Sequence, residues 1–86
     1  MTASIGKAGL SLGQPALYEI VVQGSVSKEL ADRLGGLRLR SDAAVHGVLE
    51  TSLSGRLADQ AQLIGVLNAL YEMRLPILRV EVQRIE

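Results

Sequence analysis

The chain has no Cys, no Phe and no Trp, and only one His, two Tyr and two Pro among its 86 residues. Without Cys there are no disulfides and no thiolate metal sites. A single imidazole, His46, excludes a histidine-rich zinc site within one chain. The absence of Phe and Trp removes the rings on which RNA-binding sheets stack bases. It also leaves the interior to Leu, Val, Ile and Ala. Nine Lys/Arg balance nine Asp/Glu. No long-range field therefore draws the chain to nucleic acid or to an anionic membrane. No apolar run approaches the ~20 residues of a bilayer span. The opening residues MTASIGKAGLSLGQP lack the sustained apolar core of a secretion signal, so the expected location is cytoplasmic.

What is present fits one small domain. A chain this short buries about 60–65% of its unfolded surface. Such cores are often supplemented by disulfides, metals or oligomerisation, and only the last is open to this chain. Residues 1–15, rich in Gly and Ser and without periodicity, read as a flexible leader, and residues 16–86 as a single α+β domain. Leu17 to Gln23, LYEIVVQ, reads as a strand with Tyr18, Ile20 and Val22 toward the core. Ser27 caps a short helix from Lys28 to Leu34, stopped by Gly35-Gly36. Leu37-Arg38-Leu39-Arg40 alternates like a second strand. Ser41 to Ala44 reads as a turn, and Val45 to Ser54 as a third strand that Gly55 ends.

Asp59 with Gln62 forms a capping-box-like start to a second helix. Leu63, Val66, Leu67, Leu70 and Tyr71 follow at helical spacing. Pro76 stops the helix, and Ile77 to Ile85 alternates as a last strand. The order is strand, helix, strand, strand, helix, strand. Two split βαβ units predict a ferredoxin-like βαββαβ fold, an antiparallel sheet with both helices on one face. The expected interior is Ile20, Val22, Leu30, Leu34, Leu63, Val66, Leu67, Leu70, Val80 and Val82.

Two helices cover only one face of such a sheet. The other face is expected to carry Leu17, Val21, Arg38, Arg40, Ile77, Arg79, Glu81 and Ile85. That mixture of aliphatic and charged groups suits an interface with another copy, a dimer being the first expectation. Candidate chemistry is sparse. His46 could act as a base beside Asp42 or Glu50, but no nucleophile or carboxylate pair accompanies it, so no catalytic residue is assigned. The turn before the first helix could hold an anion with Ser27 and Lys28. Arg56, ahead of the second helix, offers the same possibility. No cofactor and no metal is implied.

"DQAQLIGVLNALYEMRLPILRV", residues 59–80, following the Leu53-Ser54-Gly55 turn, resembles a DQAxLxGxLxxLxxLxLxLxxV-like segment of short uncharacterised bacterial proteins. That resemblance implies a small stand-alone domain and brings no catalytic residues. More loosely, the segment is similar to the helix and second strand of ACT regulatory domains, which share the ferredoxin-like order, pair their sheets and bind amino acids at interfaces. The Asp-x-x-Gly-like element that follows their first strand has no counterpart here. The reading is therefore a non-enzymatic, self-associating α+β module with an assembly or regulatory role. The alternative is an ACT-like domain that senses a small ligand, an amino acid or an anion.

Overall fold

β-branched residues concentrate in the segments around Tyr18 and Val80, and these segments become neighbouring strands. A computed structural model of the chain describes residues 10–86. Six elements follow in the order β1 (Ala16–Gln23), α1 (Lys28–Asp32), β2 (Arg38–Val45), β3 (Val48–Leu57), α2 (Gln60–Glu72) and β4 (Ile77–Ile85). The strands form one sheet in the order β2-β3-β1-β4, with every pairing antiparallel. Ile20 in the centre lies opposite Leu53 on one side and Val80 on the other.

Alternation on β1 decides which face is covered. Ala16, Tyr18, Ile20 and Val22 are buried in one cluster with Leu53, Leu57 and Val80. Ala31 of α1 and Leu63, Val66 and Leu70 of α2 join the same cluster. Both helices thus cover the same face of the sheet. Of the expected interior, Ile20, Val22, Leu34, Leu63, Val66, Leu70 and Val80 are buried, while Leu30, Leu67 and Val82 pack on the cluster's margin. The two polar groups taken inside are satisfied. Thr51 Oγ1 donates to Gly24 O at 2.6 Å, and Gln60 Nε2 donates to the Tyr18 hydroxyl.

Side-chain caps start both helices. Ser27 Oγ accepts from Leu30 N–H at 3.1 Å, and Asp59 Oδ1 accepts from Gln62 N–H at 2.8 Å. Gln62 reaches back one residue beyond the cap, accepting from Ala58 N–H, and its amide nitrogen donates to Gly35 O. That second bond ties the start of α2 to the end of α1. At the far end of α2, Leu75 N–H bonds to Leu70 O and Arg74 N–H to Tyr71 O. This is a Schellman closure with Arg74 at the left-handed position, φ +61, where glycine is the usual residue.

The structure corrects the sequence reading in several places. The β2–β3 turn lies at His46-Gly47, not at Ser41–Ala44. Both turn residues have positive φ, +51 and +78, as a two-residue type I′ hairpin requires. Asp42 and Ala43 instead pair with Thr51 and Glu50. Gly55 does not end β3, which runs to Leu57. It is glycine because the chain leaving α1 crosses it: a Cβ there would lie 2.7 Å from Gly36 O. α1 ends at Asp32, not at Leu34.

Residues 1–9 of the expected leader lie outside the described residues. Residues 10–15 are tied to the domain. Leu10 packs on the core cluster, Gln60 N–H donates to Leu12 O, and Glu86 N–H donates to Pro15 O. No helix among the described residues is long and apolar enough to cross a membrane.

Two stability outcomes follow. Leu70→Ala removes a fully buried side chain and is expected to lower the unfolding free energy by about 2–5 kcal/mol, more than Leu67→Ala at the margin. Arg74→Gly relieves a left-handed residue and is expected to raise stability by about 1 kcal/mol. Urea unfolding followed by circular dichroism measures both.

Candidate functional site

The face away from the helices is built from the other register of the same strands. Leu17, Glu19 and Val21 of β1 lie opposite Arg56, Ser54 and Ser52 of β3. On the β4 side they lie opposite Arg84, Glu81 and Arg79. Val21 is only 4% exposed although it lies outside the helix-side cluster. Glu19, Val21, Ala43, Val45, Glu50, Ser52 and Arg79 line a shallow depression here.

Glu19 organises this face. Its carboxylate accepts from Ser52 Oγ at 2.8 Å, from Arg79 Nη2 at 3.3 Å and from Gln83 Nε2 at 3.4 Å. The hydrogen bond from Ser52 holds its pKa below the ordinary glutamate value, with Arg79 adding to the effect against partial burial. Arg79 also pairs through Nε with Glu81. One arginine therefore bridges two carboxylates on adjacent strands.

The expected interface residues fall into three groups. Leu17, Val21, Arg38, Arg79 and Glu81 share the helix-free face by register. Ile77 and Ile85 do not lie with them. β4 has irregularities next to Leu78 and Gln83, which place Ile77 opposite Val22 and Ile85 opposite Ala16, both helix-side residues. One extra residue reverses the alternation. Arg38 lies opposite Ser54, whereas Arg40 sits at an irregularity of β2 and has no partner in the β3 ladder. Ser54 in turn lies opposite Glu19, so Arg38 shares the helix-free face, and the charge of Arg40 also lowers the Glu19 pKa.

The expected anion-site residues are not brought together. Ser27 and Lys28 follow the end of β1, and Arg56 pairs beside its start. Ser27 is engaged as a helix cap. Arg56 Nε donates to Glu86 Oε1 at 2.6 Å. His46 occupies the exposed hairpin tip. Among the described residues, no group of three His, Asp or Glu could hold a metal ion.

Sequence reasoning did not single out Glu19, Ser52 and Gln83. The available signal was Glu19 itself, the one charge inside an otherwise apolar strand. It also missed the exposed apolar residue Ile64, 57% accessible on α2, while Tyr71, read into the apolar stripe of that helix, is 79% accessible.

A four-stranded antiparallel sheet, roofed by helices on one side and laced by an ion-pair network on the other, defines a small α+β domain. Residues 17–81 match the model of a family described as Domain of unknown function (DUF8691), and the chain belongs to that family. The match runs from β1 through both helices into β4. No curated protein and no solved structure matches the chain.

The Glu19 network sets a pH dependence. A carboxylate whose pKa is depressed on folding stabilises the native state above its unfolded pKa and loses that stabilisation as pH falls through the folded value. Wild-type stability is therefore expected to fall more steeply than that of Glu19→Gln as pH drops below the ordinary value of 4.5. Parallel denaturation curves taken across this range compare the two.

Proposed function

We propose that the chain is a non-enzymatic, self-associating module of ferredoxin-like βαββαβ topology, serving assembly or regulation as a homodimer. The element order, the sheet order β2-β3-β1-β4 and the antiparallel pairings support the ferredoxin-like reading. One observation carries self-association: the sheet is roofed on one face only. Its other face and both outer strands are left without a covering layer among the described residues. Exposed aliphatics lie there at Val45 and Val48 by register, and on the outer strands and the hairpin at Leu39, Leu49, Ile77 and Leu78. An aliphatic core this small gains stability from a second copy.

The polar groups of the helix-free face support a structural role over an acid–base one. A general acid or base works best with a pKa near the operating pH. Glu19 is displaced the other way, held ionised by Ser52 and Arg79. The balanced charge leaves little repulsion between copies.

Multi-angle light scattering coupled to size exclusion, run over a wide range of loading concentrations, tests this reading. The expected mass is twice that of the 9.2 kDa chain. A mass of one chain at every concentration would falsify it.

A further inference from the structure

We infer that the chain dimerises through the outer edge of β4, whose partner is the same strand of a second copy, running antiparallel across a two-fold axis at Val80. This inference rests on the self-association proposed above and specifies its surface.

The first observation is the edge itself. β4 is an outer strand of the sheet, and no other strand among the described residues pairs with its far side. Its regular stretch is short. Arg79, Val80, Glu81 and Val82 pair in step with Val21, Ile20, Glu19 and Tyr18, and an irregularity bounds each end.

In an antiparallel pair, opposite residues share a face, and like charges placed opposite destabilise it. An axis at Arg79 would put two arginines opposite each other, and an axis at Glu81 two glutamates. An axis at Val80 places Arg79 opposite Glu81 of the second copy, twice by symmetry. On the helix side it sets Val80 against Val80. Of these three axes only the one at Val80 pairs opposite charges, and it is the one that sets two ion pairs across the strands. β2, the other outer strand, carries one charge, Asp42, in its regular stretch from residue 41 to 45 and so offers no such pair of opposite charges across a two-fold axis.

The second observation lies on α2. Gln62, Val66 and Ala69 flank the groove beside Arg33 and Leu34 at the end of α1. At helical spacing, Ile64, Leu67 and Tyr71 fall on the opposite flank, the side away from α1. Ile64 and Tyr71 are the most exposed large apolar residues of that helix. α2 contacts β3 and β4, whereas α1 contacts β2, so the flank away from α1 is the one turned toward β4. A two-fold at Val80 brings α2 and its copy side by side along that flank. One symmetry operation therefore extends the sheet to eight strands and covers the apolar stripe of α2.

The register has its own test. In Arg79→Glu both charges at the axis become acidic, and in Glu81→Arg both become basic. Each variant alone is expected to dimerise about tenfold or more weakly than wild type. Mixed one to one, they are expected to recover the dimer, because opposite charges again face each other. Ile64→Glu, at an exposed site that the monomer does not need for folding, is expected to weaken dimerisation similarly. Leu39→Lys on β2 is expected to leave it unchanged. Sedimentation equilibrium reads all of these, and circular dichroism melts confirm that each variant is folded.

A dimer insensitive to Ile64→Glu, with no recovery in the mixture, overturns the β4 interface and leaves self-association standing. A dimer lost in Leu39→Lys overturns it in favour of β2. Monomers throughout overturn both proposals. A dimer that forms only after deletion of residues 1–9 overturns it in favour of the chain's own N-terminal segment as the occupant of this edge.

Discussion

Burial of β1 is the constraint on which the rest depends. It has a neighbour on each side, and Ile20 meets Leu53, Val80 and the helix-side cluster at once. That place asks for an unbroken apolar face toward the helices. β1 meets this demand, with Val21 shielded even on the face that no helix covers. β2, rich in Arg, Ser, Asp and Ala, lies at an edge, as an exposed strand should. α2 contributes three buried side chains and α1 one. The longer helix therefore holds the layer together, and the short one closes the corner beside β2. With no Phe or Trp available, the layer is filled by aliphatic groups and by Tyr18, whose hydroxyl is satisfied at the margin by Gln60.

The helix-free face follows from the same strand. Glu19 cannot be avoided there once Ile20 points to the helices, because neighbouring residues alternate. A partly buried carboxylate needs partners. Ser52, Arg79 and Gln83 supply them from both neighbouring strands. The network makes the centre of this face polar and leaves the accessible aliphatics toward the hairpin tip, β4 and the outer flank of α2. Association through an edge uses those aliphatics and leaves the Glu19 pairs in place. Packing the face directly on another layer would require burying these charges as well.

Much of the element order was legible because it rests on short-range chemistry. Ser27 and Asp59 cap helices through hydroxyl and carboxylate oxygens that serve the next turn. Pro76 ends α2 because it has no N–H to donate and disfavours helical backbone before it. The spacing of Leu63, Val66 and Leu70 announces one buried stripe. Four features were not legible. The His46-Gly47 turn depends on a left-handed His, which composition disfavours. The positions of Ile77 and Ile85 depend on two irregularities that only the pairing with β1 reveals. Gly55 answers to a backbone 18 or 19 positions earlier in the chain, at Gly36 and Leu37. The Glu19 site needs three partners from 33 to 64 residues away.

By itself the sequence determined the two helices, their starts, the stop of α2, the first and last strands and the aliphatic character of the interior. Those properties follow from contacts within a turn or two of chain and from side-chain chemistry alone. Tertiary structure decided register: which residue of β4 meets which residue of β1, and therefore which face each side chain serves. Strand pairing is a long-range choice, made by the best joint burial of β1 with its neighbours. A single inserted residue at either irregularity reverses every face beyond it.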